Sequence, residues 1–378
     1  MWGYKVIKAA VSGTGLYTPP ESISNEELVE AFNQFVITYN EQNSSDISEG
    51  LLEPLQASSA AFIEKASGIK SRHVVNKSGI LDPQRMTPFI AERSDNEPSI
   101  QCDMAVAAAK DALAQAGKTV ADIDAVIIAC SNMPRAYPAL SVEVQGRLGI
   151  DGFAYDMNVA CSSATFGLQA AINAVENGSA RGVLVISPEI CTGHLNFRDR
   201  DSHFIFGDAC TAIVVERMDQ ANSDHIYEVV GAKLKTVFSN NIRNNFGFLN
   251  RCDESGKNNT DKLFIQQGRK VFKEVIPMVA AIISEHLEEN DLSPEQLKRM
   301  WLHQANLSMN KLISKKVLGR AAKLEEAPVI LDEYANTSSA GSIIAFHKYK
   351  DDFKKGELGV ICSFGAGYSV GSILLRKC

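Results

Sequence analysis

The chain has 378 residues, of which 45% are hydrophobic and 22% are charged, and its net charge is −7 at pH 7. This composition is typical of a soluble globular protein that is large enough for two similar halves sharing one core. The negative charge provides no basis for general nucleic-acid binding, and no uninterrupted apolar run approaches the length of a membrane span.

Apolar periodicity predicts alternating helices and strands along the chain. The predicted elements are a helix at 104–117, a strand at 124–130, a helix after Cys161, strands at 182–187 and 210–216, a helix at 270–287, a strand end at 300–302, a helix at 307–318, and strands at 358–364 and 369–375. This alternation favours a layered α/β fold. Two polar stretches lack the pattern: 41–48 reads as a turn and 77–98 as a long loop.

Residues 1–5 contain no apolar signal stretch. None of the eight cysteines has metal-binding spacing such as Cys-x-x-Cys, and several lie in apolar strand or helix patterns. These features predict reduced thiols, a cytoplasmic location and no metal site.

Cys161 lies between a short apolar strand and a long alanine-rich helix pattern. The first turn of a helix offers unpaired N–H groups and a partial positive charge. A thiol there is expected to lose its proton more easily, and the thiolate is a nucleophile. The alternative is a buried cysteine that packs as a small hydrophobic residue.

His303 follows an apolar strand end, and Asn336 lies 33 residues further along, before a run of small residues. A single histidine or asparagine usually has a structural role. Together with an activated Cys161 they form a Cys-His-Asn set, which suits either proteolysis or acyl transfer.

The local motifs resemble those of the β-ketoacyl-acyl carrier protein synthase III enzymes, which are condensing enzymes of the thiolase superfamily. Five segments carry the resemblance in the family's order and span most of the chain: Ala160-Cys161-Ser162, Phe206-Gly207-Asp208-Ala209, His303-Gln304-Ala305-Asn306, Asn336-Thr337-Ser338 and Phe364-Gly365-Ala366-Gly367-Tyr368. Degradative thiolases and elongating synthases would be expected to carry different residues at and near the positions of His303 and Asn336. Cys362 lies one position out of register with the second thiolase cysteine, so a buried strand residue is expected there.

The resemblance implies a thiolase-like fold with two similar halves in a layered α-β-α-β-α arrangement and two five-stranded mixed sheets. The first half, 1–217, would carry Cys161, and the second half, 218–378, would carry His303 and Asn336. The polar run at 217–223 marks the join.

The resemblance also implies decarboxylative Claisen condensation of an acyl thioester with malonyl-acyl carrier protein, which initiates fatty acid synthesis. Cys161 would hold the acyl group, and backbone N–H groups of Cys161, Ala366 and Gly367 would bind the oxyanion. His303 and Asn336 would donate hydrogen bonds to the enolate. Ala366 replaces a glycine of the family and keeps its donor only if its φ is negative. No metal or organic cofactor is implied.

The expected partners are acyl carrier protein, an acyl-coenzyme A primer and a second copy of the chain in a homodimer. Exposed basic residues would dock the acidic carrier, although Ser308 replaces an arginine common in the family; the residues are Lys273, Lys311, Lys315 and Lys316. An ordinary solvated helix face is the alternative.

Phe62 and Arg200 match the aromatic and basic residues at the coenzyme A entrance of the family. Phe62 stands where a tryptophan is common, and Ala66 where an arginine is common. The primer could therefore arrive on a carrier protein instead.

Tyr137 and Phe364 are expected at the acyl pocket. Tyr137 aligns with a bulky residue that closes the pocket of the partner subunit in short-chain enzymes, which predicts a short primer such as acetyl. A loop aromatic at the dimer interface is the alternative.

Three other functions stay open: condensation of longer or carrier-bound acyl chains in specialised lipid metabolism, acyl transfer without decarboxylation, and a catalytically silent scaffold subunit. The stretches 41–48 and 77–98 look like insertions, which either cover the site or decorate the surface.

Overall fold

The computed structural model describes residues 7–378. The prediction about residues 1–5 therefore lies outside the described residues. The strands are β1 (Ala9–Tyr17), β2 (Glu21–Ser24), β3 (Ser71–Val74), β4 (Ala125–Ala129), β5 (Phe153–Met157), β6 (Gly182–Ile190), β7 (Asp208–Arg217), β8 (Tyr227–Ser239), β9 (Ile242–Arg243), β10 (Ile265–Gln266), β11 (Leu297–Leu302), β12 (Leu358–Gly365) and β13 (Gly367–Lys377). The helices are α1 (Asn25–Gln42), α2 (Ser44–Ser48), α3 (Ala60–Ser67), α4 (Lys77–Leu81), α5 (Ile100–Ala116), α6 (Leu140–Leu148), α7 (Ser163–Glu176), α8 (Gly268–Glu288), α9 (Leu307–Leu318), α10 (Leu331–Tyr334) and α11 (Ala340–Lys348).

The long predicted elements are confirmed, with α9 matching its predicted range at both ends. The helix predicted at 104–117 begins four residues earlier. It begins at Ile100 because the Ser99 hydroxyl caps it by accepting the Cys102 N–H at 3.2 Å. It ends at Ala116, and the cap residue that follows, Gly117, has a φ of +64° that suits glycine.

The turn predicted at 41–48 is wrong. Helix α1 continues to Gln42 and the short helix α2 follows almost at once. The polar residues there lie on exposed helix surfaces, so polarity did not indicate a turn. The stretch 77–98 begins with α4 and is otherwise irregular, as expected.

Nine strands form one continuous sheet in the order β11-β12-β13-β8-β1-β7-β6-β4-β5. The expected pair of five-stranded sheets is therefore corrected. Five strands before residue 218 and four after it share one sheet, because β1 pairs with β8 through Ala10 and Val11. Strands β2 with β3, and β9 with β10, form separate two-stranded sheets.

The helices cover this sheet in layers. Helices α5 and α6 pack on β1, β4, β5, β6 and β7, whereas α8 and α9 belong to the side formed by β8, β11, β12 and β13. Helices α7 and α11 contact strands from both groups, so they lie between them. The result is the expected α-β-α-β-α arrangement.

Strand β4 shows how both faces become buried. Its alternate residues enter two different cores: Ile127 faces α7, whereas Val126 and Ile128 face α5 and α6. Helix α7 approaches closely because a Cβ on Gly167 would lie 2.8 Å from the Ala129 Cβ. The small residues of this helix therefore serve packing in the central layer.

Cys362 is fully buried in β12, as predicted. All eight cysteines are free. No helix within residues 7–378 is long and apolar enough to cross a membrane.

Candidate active site

Cys161 lies in a 3₁₀ turn, Ala160–Ser162, immediately before α7. The Ser163 hydroxyl accepts the Val159 N–H at 2.8 Å and donates to the Ala160 carbonyl at 2.7 Å. Ala160 has a φ of +47°, a conformation that costs about 1–3 kcal/mol in a residue other than glycine. The surrounding hydrogen bonds hold this strained turn, which presents Cys161 at the helix N-terminus as predicted.

The sulfur of Cys161 faces the backbone of the β12–β13 turn. A Cβ on Gly365 would lie 2.9 Å from the Cys161 Sγ and 2.6 Å from its Cβ, so only glycine fits there. The backbone N–H donor of Ala366 lowers the pKa of the thiol. Ala366 is not among the residues with positive φ, so alanine leaves this donor in place. Gly367, with a φ of +131°, completes the turn.

The thiol pKa differs from the expectation. Burial raises the pKa of Cys161 to about 11, and the charge of Glu189 also raises it. The Ser338 side chain and the N–H groups of Ala366 and Cys161 lower it. The prediction of an easily deprotonated thiol is therefore wrong, because loss of solvation outweighs the donors at the helix end.

His303 follows β11, and its N–H donates to the Cys362 carbonyl at 2.8 Å. Its ring packs edge-on against Phe364, with 5.2 Å between ring centroids. Burial lowers the pKa of His303 to about 4, and the backbone of Ser338 opposes this shift. The imidazole is therefore neutral at pH 7 and can either accept a proton or donate a hydrogen bond.

Asn336 is held by a short parallel bridge to Phe206. The Asn336 N–H donates to the Ile205 carbonyl at 2.9 Å, and the Gly207 N–H donates to the Asn336 carbonyl at 3.1 Å. The Asn336 Oδ1 accepts the Ser338 N–H at 2.9 Å. Since the oxygen is engaged, the side-chain NH₂ is the end available for a ligand.

Cys161, His303 and Asn336 border one cavity of about 260 Å³. We call these three residues the central cluster. Phe364, which was expected at the acyl pocket, also lines the cavity. The remaining wall is mainly apolar and consists of Ala66, Ser67, Asp201, Phe204, Ile205, Phe206, Ile242, Phe264, Gln266, Gly268, Val271, Phe272, Val275, Ala305, Asn306, Met309 and Gly365.

Tyr137 is not part of this cavity in the single chain. It is 84% exposed and lines a separate large groove, together with residues 90–102 and 257–260. Neither 41–48 nor 77–98 contributes to the wall around Cys161.

Phe62 and Arg200 are in direct contact. The Arg200 guanidinium carbon lies 4.2 Å from the Phe62 ring centroid, and its Nε donates to the Ala57 carbonyl at 2.7 Å. Phe62 in turn packs edge-on against Phe204, which lines the cavity. The predicted entrance residues therefore lie together beside the cavity wall.

The four predicted docking lysines are exposed on the two helices that also line the cavity. Lys273 lies on α8, and Lys311, Lys315 and Lys316 lie on α9. Within residues 7–378 none of the four forms an ion pair with an acidic side chain. We call Phe62, Arg200 and these lysines the outer group.

Sequence patterns did not identify Glu189 as a candidate functional residue. It is 1% exposed at the end of β6 and hydrogen-bonds to residues near Cys161 and Asn336. A carboxylate two residues after the apolar run 182–187 was the available signal. No group of three or more His, Cys, Asp or Glu side chains that could hold a metal ion occurs in the described part of the chain.

The layered α/β arrangement is a thiolase-like fold. The solved 3-oxoacyl-[acyl-carrier-protein] synthase III from Aquifex aeolicus superimposes with a TM-score of 0.75 at 24% identity, covering 98% of this chain and 99% of that one. Two domain descriptions of the same family match: 3-oxoacyl-[acyl-carrier-protein] synthase III at residues 155–234 and its C-terminal part at 287–377.

Relatives extend the match over nearly the whole chain. A beta-ketodecanoyl-[acyl-carrier-protein] synthase from Pseudomonas aeruginosa is 66% identical over 349 residues, which is 92% of this chain and 100% of the relative. A beta-ketoacyl-[acyl-carrier-protein] synthase III from Granulibacter bethesdensis is 27% identical, covering 98% and 99%. The chain belongs to the 3-oxoacyl-[acyl-carrier-protein] synthase III family. It is a condensing acyltransferase of fatty acid synthesis.

Proposed function

We propose that the protein condenses an acyl thioester with malonyl-acyl carrier protein through an acyl-Cys161 intermediate, releasing carbon dioxide and a 3-oxoacyl-acyl carrier protein. The observation that carries this proposal is that Cys161, His303 and Asn336 border one mainly apolar cavity. A nucleophile and two hydrogen-bond donors thus meet where an acyl chain can be buried.

In the first half-reaction, Cys161 attacks the thioester carbonyl. Its proton passes to His303, which is neutral at pH 7, and from there to the departing thiolate. The N–H groups of Cys161 and Ala366, which both lower the thiol pKa, stabilise the oxyanion, with Gly367 shaping the turn. One such donor typically contributes about 3–4 kcal/mol to the transition state.

In the second half-reaction, malonyl loses carbon dioxide and leaves an enolate, which attacks the acyl-Cys161 carbonyl and expels the thiolate. Neutral His303 and the Asn336 NH₂ group donate hydrogen bonds to the enolate oxygen. The Ser338 N–H supports this role because it occupies the Asn336 oxygen. Decarboxylation supplies the carbanion, so this half-reaction requires no general base, metal or organic cofactor.

The primer is proposed to be a medium-length acyl group. The Pseudomonas relative is named for a ten-carbon 3-oxoacyl product. Since malonyl adds two carbons, that name corresponds to an eight-carbon primer. This proposal rests on the name of the relative and differs from the short primer expected from Tyr137, a residue that lies outside the cavity of its own chain.

Acyl carrier protein is proposed to dock on the lysines of the outer group, and acyl-coenzyme A to enter beside Phe62 and Arg200. Docking is supported by the exposure of these lysines on helices that line the cavity.

A homodimer is proposed through the edge strand β5, where Phe153 and Tyr155 are exposed, with Tyr137 reaching the partner. A cytoplasmic location is supported by eight free cysteines.

A primer screen tests this function. Purified protein is incubated with acetyl to decanoyl thioesters and malonyl-carrier protein, and products are measured by mass together with labelled carbon dioxide. We expect the octanoyl thioester to react fastest, with one acyl group added to wild type and to the Cys252→Ala control but not to Cys161→Ala. Acylation without carbon dioxide release would instead favour simple acyl transfer, and absence of acylation would favour a silent scaffold.

A further inference from the structure

Glu189 occupies a buried position between the two segments that carry the central cluster. It lies at the end of β6, where it pairs with Ala209 of β7, and only 1% of it is exposed. Burial raises the pKa of its carboxyl, and the serine donors around it oppose that shift. A carboxylate is costly to bury unless its oxygens accept hydrogen bonds, so the donors around Glu189 are needed to hold it in this position.

One set of hydrogen bonds connects Glu189 to the Cys161 turn. The Ser131 hydroxyl donates to the Glu189 Oε2 at 2.5 Å, and the Ser131 N–H donates to Oε1 at 3.1 Å. The Ser131 carbonyl accepts from the Asn158 side chain at 2.8 Å, and the Asn158 Oδ1 accepts the Ala160 N–H at 2.8 Å. Ala160 is the strained residue directly before Cys161.

A second set connects the same carboxylate to the Asn336 loop. The Ser339 N–H donates to the Glu189 Oε1 at 3.1 Å, and the Ser339 hydroxyl donates to the same oxygen. Ser339 precedes α11, and a helix N-terminus favours a negative charge. Its neighbour Ser338 holds the Asn336 side chain through its N–H.

We propose that Glu189 is a positioning residue that fixes the Cys161 turn relative to the Asn336 loop. The nucleophile and the enolate donor come from segments 175 residues apart in the sequence, and this one carboxylate hydrogen-bonds toward both. The proposal rests on the proposed roles of Cys161 and Asn336. It assigns Glu189 no contact with substrate.

The first test compares Glu189→Gln with Glu216→Gln. Glu216 is also buried, but on β7 it lies opposite Gly182 of β6. Gly182 is seven residues before Glu189 on the same strand, which places Glu216 about 23 Å from Glu189. The amide keeps the size of Glu189 but loses one acceptor oxygen. We expect kcat of condensation to fall on the order of 10²-fold in Glu189→Gln, with both KM values within about twofold of wild type. Glu216→Gln should retain wild-type kcat.

The second readout is the pH dependence of Cys161 alkylation by iodoacetamide. The titratable groups around this thiol are Glu189 and Cys191 from β6 and the turn after it, and His303 from the end of β11. Removing the negative charge of Glu189 should shift the alkylation midpoint to lower pH, so the thiol reacts faster while turnover becomes slower. A simple packing defect would slow turnover without that shift.

Ser131→Ala and Ser339→Ala keep the proposal testable if Glu189→Gln fails to fold. We expect Ser131→Ala to slow Cys161 acylation about tenfold, and Ser339→Ala to slow carbon dioxide release from malonyl-carrier protein by the pre-acylated enzyme about tenfold. Equal effects on both half-reactions, an unchanged kcat in Glu189→Gln, or an unmoved alkylation midpoint would overturn the proposal. The alkylation measurement requires no condensation, so it separates this failure from failure of the proposed function.

Discussion

The central cluster and the outer group differ in how firmly the protein holds them. His303 and Asn336 are 2% and 6% exposed, and their backbones are hydrogen-bonded to β12 and to the Phe206 segment. The outer group lies on partly or fully exposed surfaces, and within residues 7–378 its four lysines form no ion pair with an acidic side chain. The comparison indicates that packing and backbone hydrogen bonds fix the geometry of the central cluster, whereas side chains of the outer group can be substituted with little effect on the packing around them.

The largest expected effect comes from removing an enolate donor in the central cluster. Asn336→Ala should lower the rate of malonyl decarboxylation about 10²–10³-fold, because one donor to the developing oxyanion is lost. Cys161 acylation should remain within about threefold of wild type. Single-turnover mass spectrometry measures acylation, and labelled carbon dioxide measures decarboxylation.

Asn336→Asp provides the matched control for this prediction. It keeps the shape of the side chain but replaces the donor with an acceptor, so decarboxylation should be at least as slow as in Asn336→Ala. A decarboxylation rate near wild type in the aspartate variant would contradict the donor role.

Acid should destabilise the protein through its buried histidines. Burial lowers the pKa of His303 and of His194, His203 and His286 to about 4, whereas an unfolded histidine titrates near 6.5. Between these values the unfolded chain binds more protons, so stability is lost as pH falls from about 6.5 to 4. One fully buried histidine contributes up to about 3 kcal/mol to this loss.

Thermal unfolding from pH 4.5 to 7.5 measures this dependence. The unfolding temperature should decrease steadily as the pH is lowered. The decrease should be smaller in His303→Asn, because one of the four buried histidines is removed. An identical slope in wild type and His303→Asn would show that His303 does not remain neutral in the folded protein.

Gly365→Ala tests the close approach at the sulfur. The added Cβ would lie 2.6 Å from the Cys161 Cβ, so the thiol must move. We expect kcat to fall about 10²-fold because a displacement of this kind misaligns the nucleophile. Gly146→Ala, where nothing lies within 4 Å of the new Cβ, should leave kcat unchanged.

The outer group should give the smallest effect. The double substitution Lys315→Glu with Lys316→Glu should raise KM for malonyl-carrier protein about tenfold and leave kcat within twofold, since docking charges act on encounter. The difference should shrink as salt increases. Lys355→Glu, at the opposite end of β12 from Gly365, should behave like wild type, and an equal loss there would indicate a general charge effect.

Much of the fold could be predicted from local patterns. Helix α9 matches its predicted range, and β4 is recognisable from seven residues with little polarity. Local signals were insufficient at 41–48, where polar residues belong to exposed helix surfaces. They also could not show that β1 pairs with β8, because that pair joins distant segments at the edges of two strand groups.

The sequence alone indicated which groups we propose to react, since the residues around Cys161, His303 and Asn336 form ordered motifs that need no coordinates. Tertiary structure decided how those groups behave. Burial raises the thiol pKa that the helix end was expected to lower, and it keeps His303 neutral. Only the folded chain places Glu189 between the Cys161 turn and the Asn336 loop, which are far apart in the sequence. Desolvation and long-range hydrogen bonds depend on what surrounds a residue in space, so sequence patterns do not reveal them.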